Sequence, residues 1–229
     1  MISDSPVTDP LAQLTEIRAI MERSSRFLSL SGLSGVGAGL VALAGAALAH
    51  FYLQSHFANG YAYLLGGSRA ERLAALPFLV LLAGTMAGAA VLVAWFFTRR
   101  RMQQQGSTQP LWNALTRRLL VALALPLGAG ALFCLRLYLG DDAGLVVPGL
   151  LLFYGLALLN ASKYTFTEIR WLGLTQMVLG LLALLQPAWG IAFFALGFGL
   201  GHIGYGLLMY ARYERPGAAL AAGHSRAAA

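Results

Sequence analysis

Charge is what this sequence has least of. Only 11% of its 229 residues are Asp, Glu, Lys or Arg, against about 25% in a typical soluble domain. An ordinary water-facing surface is therefore excluded for most of the chain. Cysteine is nearly absent. The single Cys134 excludes an intramolecular disulfide and any cysteine-built zinc or iron–sulfur centre, and its apolar setting reads as that of a small buried hydrophobe. All nine acids fall in the N-terminal segment, the predicted loops or the tail, and none inside a predicted span. Proton- and sodium-coupled carriers usually place such a group at mid-membrane. No nucleophile-plus-base constellation is visible either, so the chain reads as a non-enzyme and no cofactor is implied.

What is present is apolar length. The chain is 58% hydrophobic with a mean hydropathy of +0.67, the composition of an integral membrane protein. Against a requirement of about 20 residues per crossing, six spans are predicted, at about 27–53, 73–98, 119–139, 144–161, 171–185 and 189–210. The fold class is thus all-α and polytopic, a six-helix transmembrane domain over residues 27–212. Residues 1–26 form a cytoplasmic N-terminal segment. Asp9 and Pro10 read as its N-cap and first helical position, opening a short amphipathic helix on the membrane surface; a partner-binding or self-pairing helix is the alternative. An "ALAH" cleavage pattern at residues 47–50 raises a signal peptide, but the preceding segment and the apolar run are too long for one. Residues 213–229 read as a disordered cytoplasmic tail.

The net charge of +7 does not point to nucleic acid, because the excess flanks the spans. With the N-terminus inside, 13 of the 16 basic residues lie on the cytoplasmic side, leaving Arg69, Arg72 and Arg136 outside. That split follows the positive-inside rule and predicts both termini in the cytoplasm, with anionic lipid headgroups as partners of the basic face. Ser68 and Glu71 form a capping box, from which a short interfacial helix is expected to feed the second span.

Glycine is concentrated where helices are predicted. The stretch "SGLSGVGAG", Ser31 to Gly39, resembles a phosphate loop only superficially: no strand precedes it and no Walker lysine follows. Bare backbone also cannot cross a membrane unsatisfied. As helix, Gly32, Gly35 and Gly39 share one face, suited to close packing. The last span repeats the device at Gly197, Gly201 and Gly204, with Gly199 and Gly206 on a second face. The first and last spans are therefore expected to pack together, or across a homo-oligomer.

Intramembrane polar residues mark candidate sites. Counting about 1.5 Å per residue from the nearest inner charge places Asn160 about 5 Å deep, Gln176 about 9 Å, Ser34 about 12 Å and His202 about 15 Å. With Tyr205 they form a candidate polar layer, either a cytoplasm-facing pocket or interhelical hydrogen bonding. His50 lies too far from His202 in depth to share a haem or metal with it, so no metal site is expected. Arg136, Asp141 and Asp142 form a candidate outer charge site, as a local ion pair or on an anion path.

The segment "EIRAIMERSSRFLSLSGLSGVGAGLVALAGA", Glu16 to Ala46, resembles the start of a group of small multi-pass bacterial inner-membrane proteins of unknown function. The resemblance implies an inner-membrane location and a polytopic helical fold, and carries no activity. Together these features lead to a scaffold, regulatory partner or sensor acting through helix packing and a basic cytoplasmic face, as a homo-oligomer or with another membrane protein. The alternative is a channel or facilitator for a small neutral or anionic solute. The charge split predicts that a fluorescent protein fused after Ala229 fluoresces in cells, while alkaline phosphatase fused there is inactive. The opposite pattern overturns the predicted orientation.

Overall fold

The computed structural model describes residues 31–57, 60–104, 112 and 114–214; the expected amphipathic segment and most of the tail lie outside them. Among the described residues every regular element is helical. Helix α1 spans Gly32–His56, α2 is the short Gly60–Gly66, α3 spans Arg69–Gln104 and α4 spans Ala114–Leu139. Helix α5 covers Ala143–Tyr164, with 3-10 turns at both ends. Helix α6 spans Thr167–Leu185, and α7 covers Pro187–Tyr213. All but α2 are long and apolar enough to cross a membrane, which makes six.

The limits of these helices differ from the predicted spans at their polar ends. Apolar runs report where lipid begins, whereas a helix continues until its backbone is capped. The predicted start of the first span, 27–30, lies outside the described residues, and the described helix opens at Gly32 after an extended Ser31. The capping box forms as read: the Ser68 N–H donates to Glu71 Oε2 at 2.7 Å and the Glu71 N–H to Ser68 Oγ at 3.3 Å. It does not open a separate interfacial helix. It starts α3, which runs unbroken for 36 residues, because Pro77 falls well inside an already nucleated helix that neighbouring apolar side chains support.

Two helix pairs make backbone-to-backbone contact. Where α1 meets α7, a Cβ on Gly206 would collide with the Gly32 carbonyl and the Val36 nitrogen, and one on Gly32 with Gly206 and Tyr210. Where α5 meets α6, Gly155 and Gly173 each face the other's carbonyl, and Gly180 faces the Pro148 carbonyl. The outer helices lean on these pairs through side chains. Helix α3 rests on α1, with Val93 over Gly37 and Met86 over Gly45, and α4 rests on α5, with Phe153 over Gly130. Helices α6 and α7 join the two halves. The ends of α3 and α4 meet around Leu53, Ala75, Tyr138 and Ala143, where the Tyr138 hydroxyl donates to the Arg72 carbonyl at 2.8 Å.

One correction concerns the glycine stripe of the last span. Helix α7 meets α1 through Gly199 and Gly206, whereas Gly197 and Gly201 face Gln176 and Leu172 of α6, and Gly204 has nothing within 4 Å. Two faces of α7 are used, and the stripe read at Gly197, Gly201 and Gly204 is not the one against α1. Gly206→Ala and Gly173→Ala should each destabilise the protein by about 1–3 kcal/mol through overpacking. Gly204→Ala should be neutral or stabilise by up to about 1 kcal/mol, from helix propensity alone. Reversible denaturation in detergent micelles followed by circular dichroism measures all three.

Candidate functional site

The polar residues predicted to form one layer occupy separate interfaces. The Ser34 hydroxyl donates to Ser31 O at 2.5 Å, within the first turn of α1. The Asn160 amide donates to Ala122 O of α4 at 2.9 Å. The Tyr205 hydroxyl meets Thr175 Oγ1 at 3.1 Å. Only Gln176 and His202 converge. Gln176, with no exposed surface, donates through Nε2 to Gly197 O at 2.8 Å, and His202 Nδ1 lies 3.3 Å from the same oxygen. A carbonyl can only accept, so Nδ1 donates to it, and Nε2 shares a hydrogen bond with the Tyr154 hydroxyl at 2.6 Å. A depth count orders residues along each helix but does not say which interface each side chain faces.

The carbonyl that serves both residues belongs to a π-helical segment, Ala195–Gly201. Such segments relax the i→i−4 ladder and recur at functional sites. A Cβ on Gly197 would strike Gln176 Oε1 and Leu151 Cδ2, so one of them would have to move. That oxygen is buried with no hydrogen-bond partner. Phe194, Phe198, Tyr154 and His202 stack into one aromatic file beside it.

Charges that the sequence assigned to loops turn out to be buried at one end of the bundle. Glu214, just after α7, accepts from the Ser31 hydroxyl at 2.9 Å and from the Gly32 N–H. Its carboxylate thus caps the N-terminus of α1, where the helix dipole favours negative charge. Arg101 of α3 donates to the same carboxylate at 3.3 Å and lies over the Phe166 ring. Nearby, Glu168 accepts from Arg212 Nη1 at 3.0 Å and from the Tyr213 hydroxyl at 2.9 Å. Glu168 is only 4% exposed and sits in the first turn of α6. This corrects the expectation that no acid lies within a span. Its charge is tolerated because two donors from α7 reach it.

The predicted outer charge site is also rearranged. Asp141 pairs with Arg72 at 3.1 Å, not with Arg136, and Arg136 and Asp142 are exposed. Arg72 is 4% exposed and donates through Nη1 to Gly67 O at 2.6 Å. Arg72, Arg101, Glu168, Glu214 and Tyr154 were not singled out from sequence. The only signal for the charged four was their position within a turn of an apolar run. Among the described residues no group of three or more His, Cys, Asp or Glu is placed to hold a metal.

Six membrane-length helices tied by buried hydrogen bonds are the architecture of a multi-pass membrane protein. No protein-family model, curated protein or solved structure matches the chain. Arg101→Ala or Glu214→Ala removes one partner of a largely buried ion pair and should cost about 3–5 kcal/mol. The double variant Arg101→Met/Glu214→Met should cost less than the sum. A double-mutant cycle on detergent-solubilised protein reads the coupling, and strict additivity would exclude the pair as a clasp.

Proposed function

We propose that this chain is a non-enzymatic membrane protein serving as scaffold, regulatory partner or sensor, placed in a bacterial inner membrane with both termini in the cytoplasm. One observation carries the reading. Between its two ends helix α3 rests on α1, and none of the residues in its most apolar 18-residue window is buried. Gly84 and Gly88, at i and i+4 on α3, have nothing within 4 Å. Elsewhere in this protein the same small-residue spacing accompanies direct helix contact, as at Gly35 and Gly39. A flat helix face of this kind suits a second copy or another membrane helix. The polar side chains of the spans support the same reading, because hydrogen bonds between helices, or back to the chain, occupy them. Arg99 and Arg100 lie exposed near the end of α3 and suit anionic headgroups beside such a contact.

A channel or facilitator for a small neutral or anionic solute would draw on Ser34, Asn160, Gln176, His202 and Tyr205. It has less support, because those residues lie at separate interfaces and most donate to backbone carbonyls. Cysteine crosslinking separates the readings. With Cys134→Ser as background, Gly84→Cys and Gly88→Cys should give oxidised dimers or a partner adduct in native membranes. Met86→Cys, facing α1, should give neither. Monomer alone at every position, with no co-purifying protein, would sink the scaffold reading. Solute flux in liposomes that falls with Gln176→Leu would favour the channel.

A further inference from the structure

At the end of the bundle opposite the Glu214 clasp, α1 and α7 diverge around a groove of about 570 Å³. Its walls are the second half of α1, the short α2 and the first turns of α7. That volume lies within the range of small-molecule sites, about 300–1,000 Å³. Alanines make the room, among them Ala46, Ala62 and Ala192, since larger side chains there would fill it. The lining is graded. Along α1 the lining begins at Leu43 and ends at His50 and Gln54, and Gln54 lies against Gly60, next to Tyr61. From Leu43 to Gln54 the helix rises about 16 Å, roughly one leaflet of a hydrocarbon core about 30 Å thick. The groove opens sideways: Phe51 and Trp189 on its rim are 69% and 66% exposed.

Tyr61 supplies the second, independent observation. Its hydroxyl is buried against Gly190 and has no hydrogen-bond partner. Burial pushes its pKa up to about 12, so the group stays protonated at physiological pH and remains a donor. A buried hydroxyl without a partner costs about 1–3 kcal/mol, a penalty that an incoming oxygen would remove. Among the described residues the lining holds no Lys, Arg, Asp or Glu, so no permanent charge there compensates a charged head.

We infer that this groove binds a membrane-dissolved amphiphile with one hydrocarbon chain and an uncharged oxygen head, the chain lying along α1 and the head meeting Tyr61, Gln54 and His50. The ligand enters from the lipid side, between Phe51 and Trp189. This site is independent of the proposed scaffolding role, because α3 and its free glycine face contribute nothing to the lining.

Trp189 reports occupancy directly. In the full chain carrying Trp95→Phe, Trp112→Phe and Trp171→Phe, reconstituted in nanodiscs, dibromostearoyl monoglyceride should quench Trp189 fluorescence with saturation. Dibrominated phosphatidylcholine, reaching the rim only as bulk lipid, should quench in proportion to its mole fraction. Dibromostearate, with an anionic head, should bind at least tenfold more weakly. Tyr61→Phe should raise the half-saturating concentration about fivefold, the equivalent of about 1 kcal/mol. Ala192→Phe should abolish the saturable component. Unsaturable quenching by the monoglyceride would overturn the site, as would equal quenching by the phospholipid. Equal or tighter binding of the stearate would overturn the uncharged head, and an unchanged midpoint in Tyr61→Phe would overturn its hydroxyl as the donor. The wild-type titrations stand even where a variant fails to fold, and loss of binding leaves the crosslinks on α3 untouched.

Discussion

Backbone meets backbone where α1 crosses α7, and the remaining packing is referred to that contact. In lipid there is no hydrophobic gain in bringing two apolar helices together, because the chains they leave are as apolar as the chains they meet. Association then depends on close van der Waals approach, and approach is closest where neither helix has a Cβ. Gly32, Gly35 and Gly39 on one side, with Gly199 and Gly206 on the other, meet that condition. Once α1 lies there, its N-terminal amides fall within reach of Glu214, and Glu214 in turn reaches Arg101 on α3. Without the glycine contact the carboxylate would have no helix end to cap. The electrostatic clasp follows from the packing.

The second pair, α5 with α6, obeys the same rule through Gly155, Gly173 and Gly180. The two pairs are joined by polar contacts at their common boundary. Gln176 from α6 and His202 from α7 share the Gly197 carbonyl, and Tyr154 from α5 closes on the histidine. A carbonyl free to take two donors is unusual inside a regular helix, where the ladder already occupies it. The π-helical turn at Ala195–Gly201 loosens that ladder at the required place. The polar residues of the spans thus act as fasteners between packed units, each positioned by glycine contacts on either side.

Much of this was legible one helix at a time. The six spans follow from apolar length, and the Ser68–Glu71 box follows from a spacing of three residues. What was not legible lies between helices. Gly199 and Gly206 were read as a separate face from Gly197, Gly201 and Gly204, yet nothing within α7 says which face α1 takes. Gly155 is the lone glycine of the middle of α5, so it forms no pattern until Gly173 is set against it. Glu168 and Arg72 look like loop charges because hydropathy judges a residue by its neighbours in sequence. Their partners, Arg212 and Asp141, stand 44 and 69 residues away.

The two ends of the α1–α7 pair are therefore held by different physics. At the Glu214 end, backbone contact, a capped helix dipole and two ion pairs act together, and removing any one exposes a buried polar group. At the opposite end the same two helices face each other across alanines, with Tyr61 and the Gly190 contact as the nearest packing. Among the described residues lining that gap, no Lys, Arg, Asp or Glu joins them. Separation there breaks no backbone contact between the pair and leaves no ion unpaired, so it is the less costly place for α1 and α7 to change spacing. Any molecule filling the gap acts on helices whose other ends are fixed by the clasp. Helix α1 is also the element on which α3 rests, since Met86 and Val93 of α3 sit against Gly45 and Gly37 of α1. One helix, α1, thus both lines the groove and carries α3.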